Sequence, residues 1–322
     1  MSNPLDSIND LAHAKEILAK IRATKINVLL IGGTGVGKSS TINALFQNDG
    51  SGQEPQAVVG KSSSPQTMGI SKYELKNLVI WDSPGLGDTT ANDKNHKEEI
   101  TNKLRENDHQ GSPLVDLVFL VLDAGSRDFG SAYTLIKDVV LPNLKDENQT
   151  RLLIGINQAD MAMKGRYWDA KENKPEAKLV EFLEEQVQTV RSRIKSDTKL
   201  DIEPIYYSAG YTDGNELQSP YNLQKLLSYI LARLPEKKRA AVADHRNTDP
   251  KNFQSNDDKE DYGKAVDDSI YKSILGYVKE ALEEGYNKAK NFVTDPEVVN
   301  AGVKLLSGTV MALFKAAITK GK

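Results

Sequence analysis

Eight consecutive residues, Gly32-Gly33-Thr34-Gly35-Val36-Gly37-Lys38-Ser39, have the spacing GxxxxGK[ST]. Glycines at these positions let successive backbone N–H groups curl around an anion, and a helix opening directly after them adds the positive end of its dipole. Lys38 can reach the β- and γ-phosphates of a nucleotide and the Ser39 hydroxyl can ligate Mg²⁺, with Gly33, Thr34, Gly35, Val36, Gly37 and Ser40 completing the cradle. Further along, Trp81-Asp82-Ser83-Pro84-Gly85 supplies DxxG. Asp82 there can hold Mg²⁺ through water, and the Gly85 N–H can meet the terminal phosphate. Base choice rests on Asn157-Gln158-Ala159-Asp160. The Asp160 carboxylate can accept from both guanine N1–H and the exocyclic amine; adenine offers no such donor pair, so its oxygens would stay unpaired. Asn157 is expected to brace the base and the glycine loop. Gln158 stands where the NKxD motif has Lys, so its stem can cover a guanine face without the cation. In Tyr207-Ser208-Ala209-Gly210, the backbone N–H groups of Ser208 and Ala209 are expected at guanine O6.

These groups work only if strands deliver them to one edge. The run 26–31 reads as a buried strand leading straight into the glycine-rich turn and a helix over 39–46. Further strands are predicted at 71–75, 78–81, 115–122, 152–156 and 202–206, with helices near 97–106, 132–141, 177–194 and 223–234. Apolar strands alternating with helices imply an α/β fold: a mainly parallel sheet covered by helices on both faces. Leu5, Ile8, Leu11, Leu18 and Ile21 recur at helical spacing and predict a lead-in helix. The predicted division is an N-terminal helix over 1–24, a nucleotide-binding domain over 25–235, a polar linker over 236–265 and a helical hairpin over 266–322. Asp295 and Pro296 are suited to cap and open the last helix.

Composition limits the alternatives. The 322 residues contain no cysteine, which removes disulfides, thiolate metal sites and a cysteine nucleophile. With 42 Lys+Arg against 45 Asp+Glu the net charge is −3, which gives no general field to gather nucleic acid. The first residues lack the basic-then-apolar order of a secretory signal, and no run of about 18 uncharged apolar residues occurs. The expectation is a cytoplasmic protein.

Four motifs in this order, each at a predicted strand end, resemble the translation-factor-related class of P-loop GTPases, whose G domain is a P-loop NTPase fold. More narrowly, IGGTGVGKSSTINALF, WDSPGLGD, the NQAD variant and the stretch Asp160-Met161-Ala162 to Gly165-Arg166-Tyr167-Trp168 resemble YfjP-type Era-like GTPases. The P-loop and DSPG-Leu sequence are also similar to septins and immunity-associated GTPases, which dimerise across their nucleotide faces. The resemblance implies GTP and GDP as ligands, Mg²⁺ and nucleotide-gated switch loops. It places switch I in residues 48–69 and the Mg²⁺-binding Thr at Thr67, so Lys38, Thr67 and Gly85 form the expected hydrolytic set. Leu86 occupies the position where Ras-like switches carry the Gln that orients water. Gly35 replaces the Asn of potassium-activated relatives. Slow intrinsic hydrolysis, activated by a nucleotide-dependent homodimer or a partner, is the expected consequence; Arg127 is a self-supplied activating group to consider.

Residues 236–322 contain 15 Lys+Arg and 14 Asp+Glu, and no GxxG occurs after Pro235. Both facts argue against a nucleic-acid partner and against a ribosome-assembly role of the Era type, which adds a KH domain. The apolar faces of the C-terminal helices are suited to packing on the G domain, to a membrane surface or to a protein partner. A GTP-gated assembly protein with incidental hydrolysis is the competing expectation.

Overall fold

Apolar side chains on both faces of a strand need cover on both sides, and β1 (Ile26–Gly32) has it: all seven of its residues are buried. The computed structural model describes residues 16–46, 69–75, 77–83, 90–126, 128–144, 151–213, 216–247 and 249–286. A helix over 16–23 (α1) precedes β1, and α2 (Lys38–Leu45) follows it. Next come β2 (Ser71–Leu75), β3 (Leu78–Asp82), α3 (Thr90–Arg105) and β4 (Leu117–Asp123). The chain continues through α4 (Gly130–Leu135), a π-helical turn (Ile136–Val140) and α5 (Leu141–Asn143) to β5 (Leu152–Asn157). A small hairpin of β6 (Trp168–Asp169) and β7 (Lys174–Pro175) leads into α6 (Ala177–Thr198) and β8 (Ile205–Tyr206). A second hairpin, β9 (Tyr211–Asp213) and β10 (Glu216–Gln218), precedes α7 (Leu223–Arg233), and α8 (Tyr262–Tyr286) ends the described chain.

Six strands form one sheet in the order β2-β3-β1-β4-β5-β8, with β2 antiparallel to β3 and every other pair parallel. Successive side chains of a strand point to opposite faces, and the two cores divide accordingly. Val28 and Leu30 of β1 with Leu117, Phe119 and Val121 of β4 join the core shared with α1, α2, α7 and α8. Leu29 and Ile31 with Val118, Leu120 and Leu122 join the core under α3 and α6. Between β5 and β8, Gly155 makes room for rings: a Cβ there would lie 2.7 Å from Tyr207 Cε1 and 2.8 Å from Phe119 Cε2.

Three elements differ from the sequence reading. The strand expected over 202–206 is paired only at Ile205–Tyr206, directly after Pro204, which has no N–H to give a ladder. The single helix expected over 132–141 becomes an α–π–α succession. Pro142 follows the π turn and cannot donate to the residue four before it, so the last turn widens. The third difference concerns the segment after Pro235, expected to be a linker up to residue 265. It forms two 3₁₀ stretches, Glu236–Asp244 and Pro250–Phe253, and lies against the domain. Ala240, Ala241 and Val242 are buried in the first core. Asn247 N donates to Leu45 O at 2.9 Å, and the Asn247 and Asn252 side chains both donate to Ala44 O, at 3.1 and 3.2 Å. These bonds satisfy the last carbonyls of α2, which a helix leaves open at its C-terminus. His245 bonds Asn77 in the turn between β2 and β3, and Lys238 pairs with the buried Asp116 at 2.8 Å. Polar composition suggested a linker because a hydrogen-bonded buried Asn and a solvated Asn look the same in sequence.

Of the expected terminal helices, α1 covers the described end of the lead-in helix, and α8 packs on α7 and the first 3₁₀ stretch. The Thr24 hydroxyl meets the Tyr277 hydroxyl at 2.7 Å, joining the two ends of the described chain. Residues 1–15 and the helix expected at 297–319 lie outside the described residues. Among the described residues no helix is long and apolar enough to cross a membrane.

Candidate functional site

The parallel strands β1, β3, β4 and β5 deliver their C-terminal ends to one edge, where β-sheets of this class open onto ligands. Gly32 closes β1, and the chain turns through Gly33–Gly37 into α2. Gly37 is the N-cap of that helix, at φ +85° and ψ +31°. A Cβ on Gly37 would lie 2.3 Å from Asn157 Nδ2, so only glycine fits both the left-handed backbone and the space. Lys38 Nζ donates to the carbonyls of Gly32 and Gly33 at 3.2 and 3.1 Å, over the loop itself. Thr34 and Gly35 are exposed, while Gly33, Val36, Ser39 and Ser40 are half-buried around the first turn of α2.

Asp82 ends β3, and the register Leu30↔Asp82 sets it beside the loop. Its Oδ1 is buried without a hydrogen-bond partner among the described residues. Burial pushes the carboxyl up to about 6, with the Lys38 charge opposing the rise. A carboxyl whose folded pKa exceeds its unfolded value binds its proton more tightly in the native state, so folding is favoured when it is protonated. Stability from this group is therefore lost as pH rises through about 6, at a cost of at most about 3 kcal/mol. Metal-free Asp82→Asn is expected to melt above the wild type at pH 7.5, with the gap closing as the pH falls towards 4.5. Thermal melts at the two pH values check this; a gap independent of pH contradicts it.

β5 brings Asn157 to the same edge. Buried at 1% exposure, it bridges two loops: Nδ2 donates to Val36 O at 2.9 Å and Oδ1 accepts from Ala209 N at 2.9 Å. Gln158, at φ +62°, donates from Nε2 to Gly35 O at 2.9 Å, so its side chain lies along the glycine loop. Asp160 is 6% exposed, and its carboxylate makes no hydrogen bond among the described residues. Ser208 is buried, and its Oγ accepts from Gly210 N at 3.2 Å.

The structure thus brings Gly33, Thr34, Gly35, Val36, Gly37, Lys38, Ser39, Ser40, Asp82, Asn157, Gln158, Asp160, Ser208 and Ala209 to one edge. One sequence expectation is corrected. The Ser208 N–H donates to Tyr221 O at 3.0 Å and the Ala209 N–H to Asn157 Oδ1, so neither is open to guanine O6 in this arrangement. The reason is the bridge between Ser208 and Tyr221 and the Asn157 brace, both long-range contacts that no local motif contains. Thr67, Gly85, Leu86 and Arg127 lie outside the described residues. Sequence reading missed Tyr207 and Thr41, both completely buried, whose hydroxyls meet at 2.8 Å. A Thr in the first turn of the helix and a Tyr next to Ser208 carry no spacing signal.

A mainly parallel sheet with this loop at the end of its central strand is the fold of a P-loop GTPase domain. Within it, residues 27–158 match the family model described as 50S ribosome-binding GTPase. Translocase of chloroplast 101 of Physcomitrium patens is 37% identical over 103 residues, covering 32% of this chain and 11% of that protein. T-cell-specific guanine nucleotide triphosphate-binding protein 2 of Mus musculus is 32% identical over 89 residues, covering 27% of this chain and 21% of that protein. The chain therefore spans only about a tenth to a fifth of the length of these curated relatives. Among solved structures, Toc33 from Arabidopsis thaliana aligns with 69% of this chain and 90% of its own at 16% identity, with a TM-score of 0.46.

Proposed function

We propose that this chain binds guanine nucleotide with Mg²⁺ and hydrolyses GTP slowly to GDP and phosphate, as a molecular switch of the YfjP-type Era-like kind. The observation that carries the reading is Asp160. Asp160 is 6% exposed at the edge that carries the glycine loop, and its carboxylate makes no hydrogen bond among the described residues, so both oxygens are left to accept from a ligand. Guanine N1–H and its exocyclic amine are two adjacent donors on one edge; adenine lacks that pair. Asn157 holds the base-reading turn at a fixed distance from the glycine loop. Lys38 moves from the loop carbonyls to the phosphates, and the backbone N–H groups of Gly33–Gly37 bind the phosphate oxygens.

The donor set fits a hard divalent cation: the orphaned Asp82 Oδ1 and the Ser39 hydroxyl are oxygen ligands near Lys38, and Thr67 would add a third. Bound Mg²⁺ would supply charge neutralisation at the β- and γ-phosphate oxygens. Gly85 N–H is assigned to the γ-phosphate. Leu86 neither donates nor accepts a hydrogen bond, so the group that orients water comes from elsewhere: a second copy in a nucleotide-dependent homodimer, or a partner. Arg127 is the self-supplied candidate. The C-terminal helices are assigned to contact with a protein partner or a membrane surface, and the location to the cytoplasm.

Calorimetry with GTP, GDP and ATP tests the central reading: the two guanine nucleotides bind in the presence of Mg²⁺ and ATP does not. Equal binding of ATP overturns it. Single-turnover hydrolysis across a protein dilution series tests the dimer, and a rate per molecule that ignores concentration excludes it. A second reading, association with ribosomal particles, is favoured by the description of the family matched by residues 27–158. Co-sedimentation with ribosomal subunits decides it.

A further inference from the structure

We infer that Tyr207 is a positioning residue for nucleotide, tying the turn that reads the base to the helix that opens behind the phosphates. This inference rests on the guanine-nucleotide reading and extends it to a residue that contacts no part of the ligand. Tyr207 is completely buried, and a phenol hydroxyl in that environment is costly unless bonded. Its ring is seated between Phe119, at 6.4 Å between centroids, and the bare backbone of Gly155. Packing alone would be served by Phe. The hydroxyl is what packing leaves unexplained.

The direction of the hydrogen bonds follows from the acceptors. Thr41 Oγ1 lies 2.8 Å from Gly37 O, a carbonyl that can only accept, so the Thr41 proton goes there. Thr41 Oγ1 therefore accepts from the Tyr207 O–H at 2.8 Å. Burial raises the Tyr207 pKa far above neutrality, which keeps the proton for donation. The chain runs Tyr207 O–H to Thr41 O–H to Gly37 carbonyl, and Gly37 is the N-cap of α2. At its other end, Tyr207 uses its main chain. Its carbonyl accepts from Ala159 N at 3.1 Å and its N–H donates to Ile156 O at 2.9 Å. Ala159 is the residue before Asp160. One residue thus grips the base-reading turn through its backbone and the phosphate loop through its side chain, alongside the Asn157 bridge. Holding both loops in one arrangement before the ligand arrives lowers the ordering cost of binding, and it requires the base and the phosphates to be released together.

The test is GDP dissociation, read by chasing a fluorescent GDP analogue with excess GDP. Tyr207→Phe keeps the ring and Thr41→Val keeps the shape. Each is expected to accelerate dissociation about tenfold, and the double variant is expected to go no further than either single variant because both cut one chain. Thr41→Ser keeps the hydroxyl and is expected to dissociate within about twofold of the wild type. Ile194→Val in the opposite core, matched for loss of melting temperature, separates positioning from general destabilisation and is expected to leave dissociation unchanged. If Tyr207→Phe and Thr41→Val lower the melting temperature but dissociate like the wild type, or if Ile194→Val dissociates as fast as they do, the inference is overturned. Wild-type protein that binds no GDP overturns both this inference and the function beneath it; wild-type binding with unchanged variants overturns this inference alone.

Discussion

Asp160→Ala is expected to weaken GTP and GDP binding by about 10²–10⁴-fold while leaving the fold intact. Two hydrogen bonds from guanine to a charged acceptor are worth about 1.5–3 kcal/mol each, or about 3–6 kcal/mol together, and about 1.4 kcal/mol corresponds to a factor of ten. The lower part of the range is the better expectation, because water replaces some of what the carboxylate accepted. The fold should tolerate the change, because Asp160 has no hydrogen bond to lose among the described residues. Calorimetry gives the affinities, and thermal melting of the ligand-free protein should shift by no more than a few degrees. Affinity within about threefold of the wild type would show that base recognition lies elsewhere.

Gly37→Ala should act on both folding and binding. The position sits at φ +85°, where a Cβ costs about 1–2 kcal/mol, and that Cβ would lie 2.3 Å from Asn157 Nδ2. Asn157 would have to withdraw from Val36 O, and its other bond, to Ala209 N, would be disturbed with it. The variant therefore loses the N-cap geometry of α2 and the Asn157 bridge from the glycine loop to Ala209 together. Guanine-nucleotide affinity is expected to fall by more than about 10²-fold, which is the combined cost of strain and two buried hydrogen bonds. Gly35→Ala separates the two causes. Gly35 is also left-handed, at φ +79°, but nothing lies within 4 Å of its added Cβ, so its ligand-free protein should carry strain without collision. Melting temperatures in the order wild type, Gly35→Ala, Gly37→Ala are expected. Equal melting of the two variants would remove the role given to the Asn157 contact.

Much of the arrangement at this edge is legible in the sequence because each motif is local. The eight residues from Gly32 to Ser39 and the turn from Asn157 to Asp160 are contiguous, and the apolar runs that deliver them are single strands. The expectation that the Ser208 and Ala209 N–H groups are open to guanine does not hold in this arrangement, since their partners, Tyr221 O and Asn157 Oδ1, are distant in sequence. The segment after Pro235 was misread for a related cause. Its Asn247 and His245 are polar by composition yet buried, and Asn252 is half-buried, through their bonds to Ala44, Leu45 and Asn77.

The sequence by itself determined the sheet, the glycine loop and the polar groups set at the strand ends, because backbone freedom, strand periodicity and side-chain chemistry are properties of short stretches. Only the tertiary structure decided how those groups are held to one another. Val36 and Asn157 are 121 positions apart, and Thr41 and Tyr207 are 166 apart. Whether a buried polar group is satisfied depends on the pair and not on either residue, so no reading of one stretch shows it.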